Sequence, residues 1–167
     1  MAPAASSPAA TAGQLSYWEH KRESGNEHIV ALKDSKKPLP RVDEENRWFF
    51  EACARRELVL QRCAPCGTLR YYPRALCPAC LSAETEYQRM SGRGTVYTFT
   101  VTHQNQAPGF RDELPYVMAY VQLDEGPRIL TNIVQTDPRV VRIGMPVEVV
   151  FEDFDEGLAL PKFQRLT

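Results

Sequence analysis

CAPCGTLRYYPRALCPAC, at residues 63–80, contains two Cys-x-x-Cys pairs separated by ten residues. One such turn presents two thiolates to a tetrahedral ion, and a second pair completes a shell of four sulfurs. Proline and glycine in these turns favour the tight backbone that such a site needs. The spacing therefore predicts a metal site made of Cys63, Cys66, Cys77 and Cys80.

Other interpretations of these cysteines fit less well. A disulfide framework needs an oxidising compartment, and nothing in the sequence indicates secretion. A thioredoxin-like redox site uses one pair ahead of a helix rather than two facing pairs. Iron bound as in rubredoxin would use the same four sulfurs, so that alternative stays open, although a closed site in a reducing cell favours structural zinc. The fifth cysteine, Cys53, is predicted to be a small apolar helix residue.

The size of the chain suits one mid-sized domain or two small ones. It has 167 residues, of which 43% are hydrophobic, and this is enough for a packed core. The sequence has no run of 18 apolar residues, so no membrane span is expected. Its N-terminus lacks the basic and apolar stretches of a secretory signal. The expected location is the cytoplasm.

Charge is distributed unevenly, although the net charge is only -1. Residues 53–93 carry 7 Arg and 3 Glu, whereas residues 94–167 carry 6 basic and 10 acidic side chains. The cysteine-containing segment is therefore basic and the C-terminal part is acidic. A basic segment suits phosphate groups or an acidic protein surface. A solvated face with local ion pairs explains any single Arg equally well.

The N-terminal third is predicted to be a tail followed by a helical segment. The tail is rich in Ala, Pro and Ser and is expected to be disordered. A polar stretch between two helices is predicted to be an extended linker. The predictions are a tail at 1–13 and a helical segment at 14–57, with helices over 14–23 and Asp43–Arg56 and a linker over 24–41.

The second of these helices is capped by Asp43 and is unusually aromatic. Trp48, Phe49 and Phe50 follow one another, and neighbours on a helix point about 100° apart. Three consecutive aromatic residues therefore cannot all face one small core. Either two bodies cover this helix or it docks on a partner protein, and the sequence leaves both alternatives open.

The rest of the chain is predicted to be short strands, so the fold class is mainly β with N-terminal helices. Residues 58–90 are predicted to form a rubredoxin-like zinc ribbon with strands at 58–62 and 69–72. Beyond Met90, β-branched and aromatic residues dominate, and Gly92 and Gly94 allow a sharp entry into the first strand. Five strands with a short insertion after the third predict a five-stranded OB-fold barrel at 91–167, with a plain β-sandwich as the alternative. The predicted strands are 95–102, 116–123, 128–134, 146–151 and 158–163.

Five segments together carry a family resemblance. They are LQRCAPCG at 60–67, RYYPRALCPAC at 70–80, SGRGTVYTFT at 91–100, LPY at 114–116 and RIGMPVEV at 142–149. In these segments the chain resembles the acyl-CoA-associated family of zinc-ribbon and OB-fold proteins catalogued as domain of unknown function 35. The resemblance covers about Pro38 to Leu166 and says nothing of residues 1–37.

The resemblance implies an accessory role beside a thiolase-superfamily enzyme. Members of that family pair with thiolases or retro-aldolases that make or break carbon–carbon bonds in acyl-CoA substrates, in steroid side-chain and aromatic-compound degradation. It implies a heterotetramer with a thiolase-like subunit, a CoA thioester as the substrate of the complex, and catalytic residues that lie mainly on the partner. Thiolytic or retro-aldol cleavage would then be decided by the partner.

The residues of this chain fit such a role, and no catalytic residue is predicted in it. A closed sulfur shell leaves no open position for water, which argues against metal-assisted hydrolysis. The three histidines, His20, His28 and His103, lie in no nucleophile-type context. Arg70, Arg74 and Arg93 are candidates for binding the CoA phosphates or a partner surface. The alternative is that Arg70 and Arg74 brace the ribbon by hydrogen bonds to backbone carbonyls.

Two further functions compete with the accessory role. Zinc ribbons and OB barrels also bind single-stranded nucleic acid, with barrel aromatics stacking on bases, but the acidic barrel half would repel a phosphate backbone. Rubredoxin-like electron transfer would require iron in place of zinc. Neither nucleic acid nor a membrane is therefore an expected partner.

Overall fold

The computed structural model describes residues 37–154 and 157–166. The predicted tail, the first predicted helix and most of the predicted linker lie outside these residues. Within them, no helix is long and apolar enough to cross a membrane. The described helices and strands all belong to one compact unit, so their packing can be followed from one element to the next.

The cysteine-containing segment forms a three-stranded antiparallel sheet in the order β2-β1-β3. Prediction and structure differ in two places. The second strand ends at Arg70 rather than at residue 72, and the structure adds a third strand to the two that the sequence predicts. Its sequence, TEYQR, is polar and almost wholly exposed, so it has no apolar alternation, and it forms because it pairs with β1 along all five positions. The strands are β1 (Val59–Cys63), β2 (Leu69–Arg70) and β3 (Thr85–Arg89).

A closed five-stranded barrel follows, in the order β4-β5-β6-β8-β7. It closes through antiparallel pairs and one parallel contact, Ile133 with Phe163. The OB-fold prediction is confirmed, and the short insertion predicted after the third barrel strand contains a brief helical turn at Pro138–Val140. The strands are β4 (Arg93–Thr102), β5 (Tyr116–Leu123), β6 (Arg128–Ile133), β7 (Pro146–Asp153) and β8 (Ala159–Arg165).

The barrel core comes from the alternation of each strand. In β5, Val117, Ala119, Val121 and Leu123 are buried while the residues between them are half-buried or exposed. Phe163 of β8 is fully buried among them. This period of two is the pattern that places every second side chain on the inner face.

Two glycines let the chain pass from ribbon to barrel. A Cβ atom on Gly94 would lie 2.3 Å from the backbone oxygen of Gln122 on β5, too close for any side chain. Gly92 has φ +78°, and its Cβ would lie 2.4 Å from a methyl of Val149 on β7. The sharp entry that the sequence predicts therefore depends on close backbone approach as well as on conformational freedom.

Helix α1 (Arg47–Ala54) is shorter than the predicted Asp43–Arg56. A hydrogen-bonded turn precedes it, in which the Asp43 carboxylate accepts the backbone N–H groups of Glu45 and Asn46 at 3.1 and 3.2 Å. The Asn46 side chain accepts the N–H of Asp43 in return, at 2.9 Å. Asp43 thus caps the turn that leads into the helix, as its side chain chemistry favours.

The aromatic residues of α1 are covered by the chain itself. Phe49 is 4% exposed, Phe50 8% and Cys53 0%. The helix packs on β1 of the ribbon and on β7 and β8 of the barrel, so two bodies do cover it. The burial of Phe49 and Phe50 argues against docking on a partner through these two rings, whereas Trp48 is half-buried and leaves that alternative a prediction.

Candidate metal centre

The four paired cysteines meet at one end of the ribbon. Their Sγ atoms all lie within 4.8 Å of one another. Cys63 and Cys80 are 3.5 Å apart, and Cys66 and Cys77 are 3.6 Å apart. A tetrahedral zinc ion with Zn–S bonds of about 2.3 Å needs sulfurs about 3.8 Å apart, whereas a disulfide needs about 2 Å. The sulfur geometry therefore fits a tetrahedral ion and no disulfide.

Each cysteine pair is held in a turn, and the two turns repeat the same hydrogen bonds. The N–H of Gly67 donates to the carbonyl of Cys63, and that of Leu81 to the carbonyl of Cys77, both at 2.8 Å. The residue that closes each turn is left-handed, with φ +71° at Gly67 and +62° at Leu81. The sequence repeat thus becomes a structural repeat, which brings the two pairs face to face. We call these the first turn (residues 63–68) and the second turn (residues 77–82).

Backbone N–H donors at all four sulfurs favour the thiolate forms, and the pKa falls at Cys66 and Cys77, whereas burial and hydrogen bonds between the thiols raise it at Cys63 and Cys80. Thr68 Oγ1 also lies 3.2 Å from Cys66 Sγ, and hydrogen bonding to Thr68 lowers the pKa of the Cys66 thiol to about 6. Thiolates are the form that binds a metal ion. The N–H groups directed at sulfur are those of Cys66 toward Cys63, Thr68 toward Cys66, Ala79 and Cys80 toward Cys77, and Ser82 toward Cys80.

The arrangement fits a closed structural site. Four sulfurs fill the tetrahedral shell, so no coordination position remains for a substrate or a water molecule. Cys63 and Cys77 are fully buried, whereas Cys66 and Cys80 are exposed. Cys53 lies in α1, and burial raises its pKa to about 12, so it is a neutral core thiol, as its isolated position in the sequence predicts.

The Arg70 side chain is buried and hydrogen-bonded within the ribbon rather than exposed to a ligand. The residue is 6% exposed. Nε donates to Gln61 Oε1 at 2.9 Å, and Nη2 donates to Thr85 Oγ1 at 2.6 Å and to the carbonyl of Arg74 at 3.3 Å. Arg70 therefore ties the three ribbon strands and the loop after β2 together. The alternative that it braces the ribbon describes the structure, and its burial counts against a contact with a CoA phosphate, which stays an untested prediction.

Gln61 is the residue that sequence reasoning missed. It is 5% exposed, and its Oε1 accepts both Arg70 Nε and the backbone N–H of Arg74, each at 2.9 Å. The sequence does hold one indication of its role. Gln61 is a polar residue within a short strand, between the apolar Leu60 and the ligand Cys63.

The other two arginine candidates present their side chains to solvent. Arg74 contributes its backbone to the Gln61 network, and Arg93 donates its backbone N–H to Ser91 Oγ at 3.2 Å. Both residues are exposed, as is His103. The structure does not bring Arg70, Arg74 and Arg93 into one site, and a phosphate contact of Arg74 or Arg93 stays a prediction.

Comparison with known proteins matches both halves of this architecture. The ChsH2 rubredoxin-like zinc ribbon domain matches residues 50–86, and the ChsH2 C-terminal OB-fold domain matches residues 87–152. A chain of the solved Ltp2-ChsH2(DUF35) aldolase is 42% identical, with a TM-score of 0.70, over 76% of this chain and 98% of that one. This chain belongs to the DUF35 family.

Curated relatives carry the DUF35 architecture under several names. A DUF35 domain-containing scaffold protein of Methanocaldococcus jannaschii is 44% identical over 60% of this chain and 74% of its own length. A probable enoyl-CoA hydratase alpha subunit of Thermomonospora curvata is 42% identical over 90% of this chain, which spans only 45% of that protein. Benzoylsuccinyl-CoA thiolase subunit BbsA of Thauera aromatica is 35% identical over 43% of this chain and 48% of its own length.

These matches confirm the family resemblance that the sequence motifs carry. The DUF35 chain has the zinc-ribbon and OB-fold domains of proteins named as scaffolds or as subunits of acyl-CoA enzymes. The described residues contain one cluster of potential metal ligands, and it is the four-cysteine cluster.

Proposed function

We propose that this chain is a non-catalytic, zinc-binding accessory subunit of a thiolase-superfamily complex that cleaves or forms carbon–carbon bonds in acyl-CoA substrates. The match to the Ltp2-ChsH2(DUF35) aldolase carries this proposal, because it covers 98% of that chain. The thiolase subunit of Thauera aromatica, which matches 43% of this chain, adds a relative from a second enzyme of acyl-CoA chemistry. The catalytic residues are then expected on the partner.

Zinc is the ion we propose for the four-sulfur site. Cys63, Cys66, Cys77 and Cys80 would hold it, and their spacing and N–H donors fit the ion. Bound there, zinc supplies cross-linking rather than catalysis, since its four positions are occupied by protein sulfur. One ion per chain and a colourless protein are expected, whereas a red iron protein would support rubredoxin-like electron transfer.

The substrate of the complex is proposed to be a CoA thioester of an aromatic acid or of a steroid side chain. The name of the Thauera aromatica relative supports the aromatic class. We further propose a heterotetramer located in the cytoplasm. Arg74 and Arg93, both exposed, are the described candidates for contact with CoA phosphates or with an acidic partner surface.

Coexpression with the proteins encoded by the neighbouring genes, among which we expect a thiolase-like protein, tests the proposal. We expect a stable complex that cleaves an acyl-CoA thioester, while either subunit alone is inactive. A free monomer that leaves the activity of the neighbouring protein unchanged would remove the proposal. Arg74→Glu with Arg93→Glu should weaken the complex or raise KM, and Arg165→Glu, on an exposed position of β8, serves as the matched control.

Single-stranded nucleic-acid binding is a second candidate, and a feature of the barrel favours it. Tyr97 and Tyr120 are 47% and 44% exposed on the barrel surface, and the guanidinium of Arg128 lies 3.5 Å from the Tyr97 ring centroid. Exposed aromatics beside an arginine can stack on bases. Against it, residues 94–167 carry 10 acidic and 6 basic side chains. A salt-sensitive rise in the fluorescence anisotropy of an oligothymidylate would support this candidate, and no change at low salt would end it.

A further inference from the structure

An apolar cavity lies between helix α1 and the outer face of the barrel. Its volume is about 440 Å³, which is within the range of small-molecule sites. Residues of α1 and of the loop after β2 form one wall, and β5, β6 and β8 form the other. The cavity is therefore assembled by the packing of the ribbon segment on the barrel, and it is separate from the metal cluster, none of whose cysteines lines it.

One wall of the cavity is aromatic. Phe49, Tyr71 and Tyr72 line it, with 5.8 Å between the ring centroids of Phe49 and Tyr71 and 4.2 Å between those of Tyr71 and Tyr72. Phe49 and Tyr71 are largely covered by protein, while Tyr72 is 51% exposed and stands at the opening. Aromatic rings in such a group prefer to receive another flat ring edge-on or offset.

The opposite wall is aliphatic. Met118 of β5, Leu130 of β6 and Leu160 of β8 project from the outer face of the barrel, where polar side chains would otherwise be expected. Met118 is 41% exposed in this position. Methionine adapts its shape to a neighbouring group and makes favourable contacts with aromatic rings. The two walls together present a slot for a flat apolar molecule.

A cation and an amide supply the polar part of the lining. The Lys162 side chain is 14% exposed, and its Nζ donates to Asn132 Oδ1 at 2.5 Å. Asn132 in turn donates from Nδ2 to the carbonyl of Val117 at 3.1 Å, which fixes the orientation of the amide. Glu152, whose carboxylate forms an ion pair with Lys162, is 3.8 Å away and does not line this cavity. An ammonium has three N–H donors, so Lys162 retains the capacity to bind an acceptor in the cavity.

Among the described residues, one carboxylate lines the cavity, that of Glu45, and it is exposed to solvent, which screens its charge. Glu45 Oε1 accepts the backbone N–H of Ala75 at 2.5 Å. Burial lowers the pKa of Lys162, and the nearby charges of Glu152 and Glu113 oppose that shift, while Lys37 adds to it. An anion from outside the chain would stabilise the ammonium form in the same way as these carboxylates do.

From this lining we propose that the cavity is a binding site for a compact aromatic or alicyclic carboxylic acid. The ring would lie between Tyr71 and Met118, and the carboxylate would accept hydrogen bonds from Lys162. The described residues that line the cavity all come from this chain. Binding at this site goes beyond the proposed function and does not depend on it, since no partner subunit is needed for binding.

Methyl NMR of the full chain tests this directly, with 2-naphthoate as the probe. The chain has four methionines, of which Met118 lines the cavity, while Met90 and Met145 are buried elsewhere, 4% and 1% exposed. With ¹³C-labelled methionine methyls, we expect a saturable ring-current shift of Met118 and no shift of Met90 or Met145. An unshifted Met118 at saturating probe overturns the proposal, as does a shift that grows without saturation.

Three variants test the chemistry of the site. Lys162→Met keeps most of the side chain length but removes the charge. It should weaken the binding of 2-naphthoate by at least about tenfold, which is the effect of losing one charge-assisted hydrogen bond. Leu130→Trp, at a half-buried position, should fill the slot and abolish binding even if the lysine variant fails to fold. Arg165→Met, on the same strand but outside the cavity, should bind normally.

The neutral analogue 2-naphthylmethanol separates charge from shape. We expect it to bind at least about tenfold more weakly than 2-naphthoate, because it cannot form an ion pair with Lys162. Equal affinities of acid and alcohol, or unchanged affinity in both the Lys162 and Leu130 variants, would show that the cavity does not select a carboxylic acid. Coexpression with the thiolase-like protein is a separate experiment, so failure here leaves the accessory role untouched.

Discussion

Gly67 and Leu81 occupy equivalent positions in the two metal-binding turns. Both close their turn with an N–H donated to the first cysteine of the pair at 2.8 Å, and both have left-handed backbone, φ +71° and +62°. In the first turn this residue is glycine, which adopts the conformation freely. In the second it is leucine, whose Cβ makes the same conformation cost about 1–2 kcal/mol. The Leu81 side chain is 73% exposed, so packing in this chain does not offset that cost.

Replacing Leu81 by glycine is therefore expected to stabilise the chain. The relief of backbone strain, less the greater entropy of glycine in the unfolded chain, leaves about 0.5–1 kcal/mol. Urea unfolding of the zinc-loaded protein should show a higher midpoint for Leu81→Gly and a lower one for the reciprocal Gly67→Leu. A lower midpoint for Leu81→Gly would show that the leucine makes stabilising contacts that its exposure hides.

Removal of the metal should unfold the ribbon before the barrel. The ribbon is a small sheet with a two-residue β2, and the metal cluster joins its two turns, so its folding free energy depends on metal binding. With a strong chelator, hydrogen exchange should accelerate at amides of β1 while those of β5 stay protected. Cys63→Ala should lose the bound zinc, and Cys53→Ala, the matched control outside the cluster, should retain one ion per chain. Protected β1 amides after chelation would refute a structural role for the metal.

Loss of the buried Arg70 side chain should lower the free energy of unfolding, whereas loss of the exposed Arg74 side chain should leave it nearly unchanged. Arg70→Met removes the hydrogen bonds from the buried guanidinium to Gln61 and Thr85, and a hydrogen bond of a charged group contributes about 1.5–3 kcal/mol. Arg74→Met removes only an exposed side chain, so a change within about 0.5 kcal/mol is expected. Equilibrium unfolding of both variants measures the difference. Similar stabilities would mean that the buried guanidinium contributes nothing net.

Gly94 should tolerate no side chain. An added Cβ would meet the Gln122 backbone oxygen at 2.3 Å, so Gly94→Ala must push β4 away from β5. We expect a loss of about 1–3 kcal/mol, the usual cost of overpacking. Gly126→Ala is the control, because a Cβ added there would meet no atom of the described residues within 4 Å and only its φ of +116° is strained. Thermal melts in which Gly94→Ala is no worse than Gly126→Ala would contradict the steric argument.

Much of the fold and of the metal centre follows from local patterns. Two cysteines in one turn direct their thiolates at a single ion whatever the rest of the fold is. Alternating β-branched residues identify the barrel strands even when the strands they pair with are unknown. Strand β3 could not be predicted because it has no local pattern. Its exposed sequence has no periodicity of its own, and it is a strand only because β1 lies beside it.

The four-cysteine cluster, the five barrel strands and the family of the chain could all be predicted before folding was considered, because each depends on residues within a short stretch. Tertiary structure alone decided which polar and aromatic groups are available. Phe49 could have faced a partner, but ribbon and barrel both pack on its helix. Arg70 could have bound a phosphate, but Gln61 and Thr85 hold its guanidinium inside the sheet. Burial is set by distant segments that meet only after folding, so composition and spacing cannot report it.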